Sequence, residues 1–197
     1  MAQGVITADD VPLVLGVPRG GVPVAVVVAE RIGADVDVLV AHKLGAPGNP
    51  EFAIGAVAED GTYVVDRAFL RRLGVRDEYV EAERARQAAE VQRRAASYRQ
   101  GRAAIPISGR LCIVVDDGVA TGSTLQAAIS LVERRDASRV IVAVPVGPPE
   151  SIERLAETAN AVVCPLQPEP FFAVGGWYDR FDQVSDAEVM RFLEESV

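Results

Sequence analysis

Asp116 and Asp117 stand side by side at the end of a short apolar run, Leu111 to Val115. They are followed at once by Gly118-Val119-Ala120-Thr121-Gly122-Ser123-Thr124. Adjacent carboxylates at a strand end suit a cation or sugar hydroxyls. A turn of small and hydroxyl-bearing residues that opens a helix suits an anion, because a helix N-terminus offers unpaired N–H groups and a positive dipole end. Gly122 lets the backbone approach closely, and Thr121, Ser123 and Thr124 add hydroxyl donors. The carboxylates repel a phosphate, so they must serve another part of the same ligand. A divalent cation and sugar hydroxyls are the natural candidates. A plain helix cap explains the turn but has no use for the acid pair. Two familiar phosphate motifs are absent: no Lys follows the second Gly, as a P-loop requires, and there is no GxGxxG.

Three further groups belong to the constellation. Gly16-Val17-Pro18-Arg19-Gly20-Gly21 is a second turn between an apolar run and a helix, with one cation and paired glycines. Successive backbone N–H groups at such a turn cradle an anion and Arg19 clamps it; alone, the motif is also compatible with a simple tight turn. Lys43 follows a strand and opens the Gly/Pro stretch 44–50, LGAPGNP. It is either a basic residue on a closing loop or an ordinary surface lysine. Phe171, Phe172, Trp177 and Tyr178 fall in a Pro/Gly-rich segment, PLQPEPFFAVGGWYDRF. They stack on a flat ligand or form a small core under a loop.

The elements that must position these groups read as an alternation of strands and helices. Strands are expected at Leu13–Val17, Val36–Ala41, Phe52–Ala58, Thr62–Val65, Leu111–Val115, Val140–Val144 and Ala161–Cys164. The second pair is a hairpin closed at Glu59-Asp60-Gly61. Helices are expected at Val22–Ile32, Arg67–Leu73, Arg76–Arg99, from Leu125 onward, at Glu150–Glu157 and at Asp186–Glu195, the last with Ser185 as N-cap. The Arg residues of the long helix form an anion patch or, with Glu81, Glu83 and Glu90, a solvated charged face. Strands alternating with helices imply βαβ units. The expected fold is α/β, a mainly parallel sheet flanked by helices, with a flexible hairpin loop and a C-terminal hood. At 197 residues one domain is expected over 1–197, with a core at about 13–164 and the hood and last helix at about 165–197.

The stretch VVDDGVATGST resembles the PRPP-binding signature of type I phosphoribosyltransferases, and the PRGG turn resembles the pyrophosphate turn of the same family. The resemblance covers most of residues 13–145 in element order. HKLGAPGNPEFAIGA, VPVGPP and PFFAVG are similar to a subgroup of predicted phosphoribosyltransferases whose substrate is unassigned. The resemblance implies Mg²⁺-dependent transfer of ribose 5-phosphate from PRPP to a nitrogenous acceptor, with pyrophosphate released. It assigns the 5′-phosphate to Ala120, Thr121, Gly122, Ser123 and Thr124, and the pyrophosphate to Arg19, Gly20 and Gly21. It assigns catalysis to Asp116, Asp117, Arg19 and Lys43, and Mg²⁺ to Asp116 and Asp117, directly or through ribose hydroxyls and water. It implies a mobile loop from Lys43 to about Ile54, and an acceptor hood at 165–181 with Phe171, Phe172 and Trp177. Members using 6-oxopurines carry an Asp where this chain has Ala120, so hypoxanthine and guanine are expected to be poor acceptors. Members of the subgroup carry a helix before the first strand. Only about a dozen residues precede Leu13 here, so a shortened start and an incomplete hood are expected.

Composition narrows the alternatives. Hydrophobic residues make up 49% and charged residues 24%, as in globular proteins, and the net charge is −8. Such a charge argues against nucleic acid as a partner. The apolar run Val22–Ala29 is too short to span a bilayer, and no signal peptide is visible. The expected setting is the cytoplasm, where Cys112 and Cys164 stay as thiols; a homodimer is compatible with the sequence. Two other functions stand beside the enzyme: a non-catalytic PRPP sensor on the same fold, and a hydrolase with Cys164 as nucleophile. The single His, the missing GxSxG and the Pro after Cys164 weaken the hydrolase.

Overall fold

A computed structural model describes residues 6, 7 and 10–196. The expectation of a shortened start falls largely outside them. In chain order the elements are β1 (Pro12–Gly16), α1 (Gly21–Ile32), β2 (Asp35–Val38), β3 (Ala41–Ala46), β4 (Asn49–Ala58) and β5 (Tyr63–Val65). There follow α2 (Arg67–Arg72), α3 (Asp77–Arg99), β6 (Leu111–Val115), α4 (Ser123–Glu133) and β7 (Arg139–Ala143). The chain closes with α5 (Pro149–Ala156), β8 (Ala161–Val163), a 3₁₀ turn (Val174–Trp177) and α6 (Asp186–Glu195).

Five strands form a parallel sheet in the order β2-β1-β6-β7-β8. Its centre is β6, Leu-Cys-Ile-Val-Val, buried at every position. A strand covered on both faces reads as an unbroken apolar run rather than an alternation. Leu13, Leu15, Cys112 and Val114 face the α4–α5 side, with Leu125, Ile129 and Leu155. Val14, Ile113 and Val115 face the α1 side, with Ala25 and Ala29. From β1 the chain winds outward to β2, and from β6 it winds the other way to β7 and β8. The topological switch point therefore lies between β1 and β6, where open α/β sheets form their ligand crevice.

The second sheet is antiparallel, β3-β4-β5. Here the structure corrects two expectations. The run Val36–Ala41 is not one strand: β2 stops at Val38, and β3 begins at Ala41 in the other sheet. The apolar pattern does not break because the link residues, Leu39 and Val40, are themselves buried. Residues 44–50 are not a loop. Leu44, Gly45 and Ala46 continue β3 across a register shift, the chain turns at Pro47-Gly48, and β4 starts at Asn49. Leu44 and Ile54 anchor this ribbon against Leu70 and Val80 of α2 and α3. Ala56 and Ala58 anchor it against Leu131 of α4.

Helix α3 carries its charge as ion pairs at i,i+3 spacing: Arg84–Glu81, Arg86–Glu83 and Arg93–Glu90. That is the solvated face, not an anion patch. Its last residue, Arg99, is buried. Its guanidinium donates to Asp37 of β2 at 2.8 and 3.0 Å and to Glu59, just beyond β4, at 2.8 Å. Burial works against the Arg99 charge, but the two carboxylates outweigh it and raise its pKa. Helix α6 begins with the expected cap: Ser185 Oγ accepts from the Glu188 amide, and the Glu188 carboxylate accepts from the Ser185 amide. No helix among the described residues is long and apolar enough to cross a membrane.

Candidate functional site

The two turns singled out in the sequence meet at the switch point. The Val17 amide donates to the Val115 carbonyl at 2.8 Å and ties the end of β1 to the end of β6. The Pro18–Arg19 peptide is cis. Gly20 and Gly21 then lie directly on the acid pair. A Cβ on Gly20 would fall 1.8 Å from Asp117 Oδ2, and one on Gly21 would fall 2.5 Å from the Val115 carbonyl oxygen and 2.8 Å from Asp116 Cα. At Gly21 the obstruction is backbone and only hydrogen fits; at Gly20 a Cβ would displace the Asp117 carboxylate. The paired glycines are the condition for bringing a cationic turn against two carboxylates.

The acid pair is under electrostatic stress. Asp116 is pushed up to about 7, first by burial and then by the neighbouring Asp117 charge. Among the described residues one contact eases it, the Asp117 amide donating to Asp116 Oδ1 at 2.9 Å. Burial also raises Asp117. A buried carboxylate without a counter-charge tends to take up a proton or a cation. Among the described residues no group of three or more His, Cys, Asp or Glu side chains could by itself hold a metal ion. Two carboxylates with the rest supplied by water and phosphate oxygens is the usual arrangement for Mg²⁺, so the residues present fit that ion.

Beyond Asp117 the chain makes the anion-type turn. Gly122 has φ +81° and is buried, while Ala120, Thr121, Ser123 and Thr124 are exposed around it. Thr121 Oγ1 and Ser123 Oγ lie 3.2 Å apart. The turn is braced by the β7–α5 connection, where the Val119 amide donates to the Val146 carbonyl at 2.9 Å. It is also braced by Ser151 and Arg154 of α5, which bond to the Ala120 and Thr121 carbonyls. Sequence reasoning missed both residues. Their i,i+3 spacing on a helix that follows the next strand was the available signal.

Arg19, with a side chain one-third exposed, points toward Asp186 at the start of α6, 3.9 Å away. The same Asp186 oxygen accepts from the buried Tyr98 hydroxyl at 2.8 Å. A cavity of about 610 Å³ opens beside Arg19, lined by Gly20, Asp117, Tyr178, Phe181 and Gln183 among others. The tail segment does fold back to the acid pair. Val174 packs on Gly118, and the Tyr178 hydroxyl donates to the Asp117 carbonyl.

Of the four tail aromatics singled out in the sequence, Tyr178 lines this cavity and the other three do not. Phe172 is 89% exposed, and neither Phe171 nor Trp177 lines the cavity. The rings that do are Tyr178 and Phe181, with centroids 5.0 Å apart. The 3₁₀ turn ends at Trp177, and the two rings at the cavity come from the residues after it. Lys43 does not line the cavity either. It sits inside β3 opposite Ala56, half-buried, rather than at the mouth of a loop. Cys112 and Cys164 are free thiols, and burial pushes both up, to about 11 for Cys112. Neither is poised as a thiolate nucleophile, which counts against the hydrolase alternative.

The pattern of the phosphoribosyl transferase domain matches residues 3–176. The chain belongs to the phosphoribosyl transferase domain family. Two Mycobacterium tuberculosis proteins provisionally named phosphoribosyl transferases, from strains CDC 1551 and H37Rv, are each 46% identical to it over 184 residues. The match spans 93% of this chain and 42% of theirs, so the chain corresponds to less than half of either relative. Among solved structures, TT1426 from Thermus thermophilus is 47% identical, with a TM-score of 0.84 over 94% of this chain and 88% of that one. The parallel sheet, its flanking helices and the two turns are thus elements of a phosphoribosyl transferase domain.

Proposed function

We propose that the chain binds PRPP with Mg²⁺ at the β1/β6 switch point and transfers ribose 5-phosphate to a nitrogenous acceptor, releasing pyrophosphate. The observation that carries this is the meeting of two anion-type turns on one half-buried acid pair, with Gly20 and Gly21 in contact with Asp117 and Asp116. Two phosphate-bearing ends of one ligand and a polar, cation-tolerant middle match that arrangement.

In this reading the Thr121–Thr124 turn holds the 5′-phosphate and fixes the orientation of the sugar, which sets how often the anomeric carbon meets its acceptor. Asp116 and Asp117 hold the ribose hydroxyls, directly or through the metal, and their charge favours the positive character that develops on the sugar ring. Arg19, Gly20 and Gly21 receive the pyrophosphate. When bound, Mg²⁺ supplies charge neutralisation between the leaving group and the acid pair. The acceptor occupies the cavity under Tyr178 and Phe181, whose rings offer an apolar wall to a flat heterocycle. The nitrogen of the acceptor forms the new C–N bond as the anomeric C–O bond to pyrophosphate breaks. No protein nucleophile takes part. Free thiols at Cys112 and Cys164 suit the reducing cytoplasm expected for such an enzyme.

The test is pyrophosphate release from PRPP and Mg²⁺ against a panel of nitrogenous bases and amines. Release with one acceptor, lost in the Asp116→Asn, Asp117→Asn double variant, supports the transferase. Tight PRPP binding without release for any acceptor returns the reading to a sensor on the same fold.

A further inference from the structure

The anion-type turn is held from behind by the helix that follows the next strand. Ser151, fully buried in the first turn of α5, donates its hydroxyl to the Ala120 carbonyl at 2.6 Å. Arg154, three residues on, donates to Ser151 Oγ at 2.8 Å and to the Thr121 carbonyl at 3.4 Å. Two consecutive carbonyls of the turn are therefore drawn toward α5.

That has a consequence for the amides. A trans peptide is planar, and its N–H points opposite to its C=O. The 120–121 and 121–122 peptides are trans. With the Ala120 and Thr121 carbonyls turned to α5, the N–H groups of Thr121 and Gly122 turn away from it. Among the described residues, these two amides and those of Ser123 and Thr124 have no protein acceptor. A carbonyl that accepts a hydrogen bond also polarises its own peptide and makes the N–H a better donor, more so when a guanidinium feeds the chain.

We propose that Ser151 and Arg154 are positioning residues for the 5′-phosphate of a sugar phosphate. They set two carbonyls so that the amides of the turn are aimed at the phosphate oxygens before the ligand arrives. Neither side chain need touch the ligand. The inference rests on the function proposed above and adds to it the source of the turn's pre-organisation.

The test compares two anions that this reading sends to different turns. Arg154→Met, Arg154→Lys and Ser151→Ala are titrated calorimetrically with ribose 5-phosphate and, separately, with pyrophosphate and Mg²⁺. Losing a hydrogen bond of this kind should weaken ribose 5-phosphate about tenfold in Arg154→Met and Ser151→Ala. Pyrophosphate affinity should stay within about twofold, since its turn shares no partner with α5. In turnover the KM for PRPP should rise by a factor similar to the ribose 5-phosphate loss, with kcat changing less. Arg154→Lys, which keeps one charged donor, should recover part of the loss. Arg154 is exposed, so its variants should melt where the parent does. Equal loss of both anions, or loss of neither, overturns the proposal. Parent protein that binds neither anion overturns the functional reading itself, a result distinct from either.

Discussion

Gly21→Ala asks whether the close approach of the two turns is what makes the site. The added Cβ would lie 2.5 Å from the Val115 carbonyl oxygen and 2.8 Å from Asp116 Cα. Non-bonded carbons rest at about 3.5–4.0 Å from their neighbours. Both obstructing atoms are backbone at the end of the central strand and just beyond it, so neither can swing aside as a side-chain tip would. The turn must retreat by about 1 Å, the difference between the two distances. It takes Arg19 with it, away from the acid pair. A misplacement of about 1 Å at a reacting centre costs on the order of 100-fold in rate. Overpacking costs about 1–3 kcal/mol of stability, which leaves the fold intact. The expected result is therefore a folded protein with a modestly lower Tm whose kcat/KM for PRPP has fallen about 100-fold. Gly176→Ala is the control, since a Cβ there meets nothing within 4 Å. Gly21→Ala protein that keeps parental kcat/KM would refute the reasoning, because the contact between the turns would then be irrelevant to the chemistry.

Four further outcomes are expected. Asp116, with its pKa raised from 3.8 to about 7, costs the metal-free protein stability in its charged form, so stability should fall as pH rises from about 4 to about 7. That span sets an upper bound of about 4 kcal/mol, and in EDTA at about pH 8 Asp116→Asn should melt higher than the parent while the two converge near pH 4; parallel curves would sink this. Arg99→Met strands Asp37 and Glu59 without their cation and should cost about 3–5 kcal/mol in urea unfolding, with a loss under about 1 kcal/mol counting against the network. Chymotrypsin should cut the hairpin after Phe52, which is 44% exposed, and PRPP with Mg²⁺ should protect it, while cutting at the buried Leu44 would contradict a ribbon anchored at its base. Hypoxanthine and guanine should turn over far more slowly than the best acceptor, since the exposed Ala120 has no group to exchange a proton with the ring, and comparable turnover of guanine would end that argument.

The central strand and both turns were legible because their signals are local. An unbroken apolar run, two acids and a small-residue turn keep their meaning whatever surrounds them, and β6, Asp116–Asp117 and 118–124 stand where the residues put them. The Ser185 cap was legible for the same reason. The hairpin was not. Leu39 and Val40 are buried in a link between sheets, so hydrophobicity gave no mark where one strand ended and the next began. The glycines and prolines of 44–50 suggested a loop, yet Pro47-Gly48 alone turns the chain, and the flanking residues pair. Lys43 was misplaced with that loop. The hood was legible in part. Its segment and Tyr178 were visible, but Phe181 lies beyond the expected bounds, and choosing among the aromatics required knowing where the 3₁₀ turn ends, a matter of tertiary packing. Ser151 and Arg154 act through main-chain carbonyls, a role that leaves no residue-type signature in the turn they support.

The bond from the Tyr178 hydroxyl to the Asp117 carbonyl makes two half-sites share one peptide. In the proposed function the ring of Tyr178 belongs to the acceptor cavity, and the side chain of Asp117 belongs to the sugar and the cation. Any rotation of the tail that accommodates an acceptor is thus felt at the acid, and any pull on the acid is felt at the tail. Affinities for the two substrates then cease to be independent quantities. Whatever factor one ligand imposes on the binding of the other must be returned in equal measure, so a single hydrogen bond at the junction of sheet and hood is enough to make the two bind cooperatively, whichever arrives first.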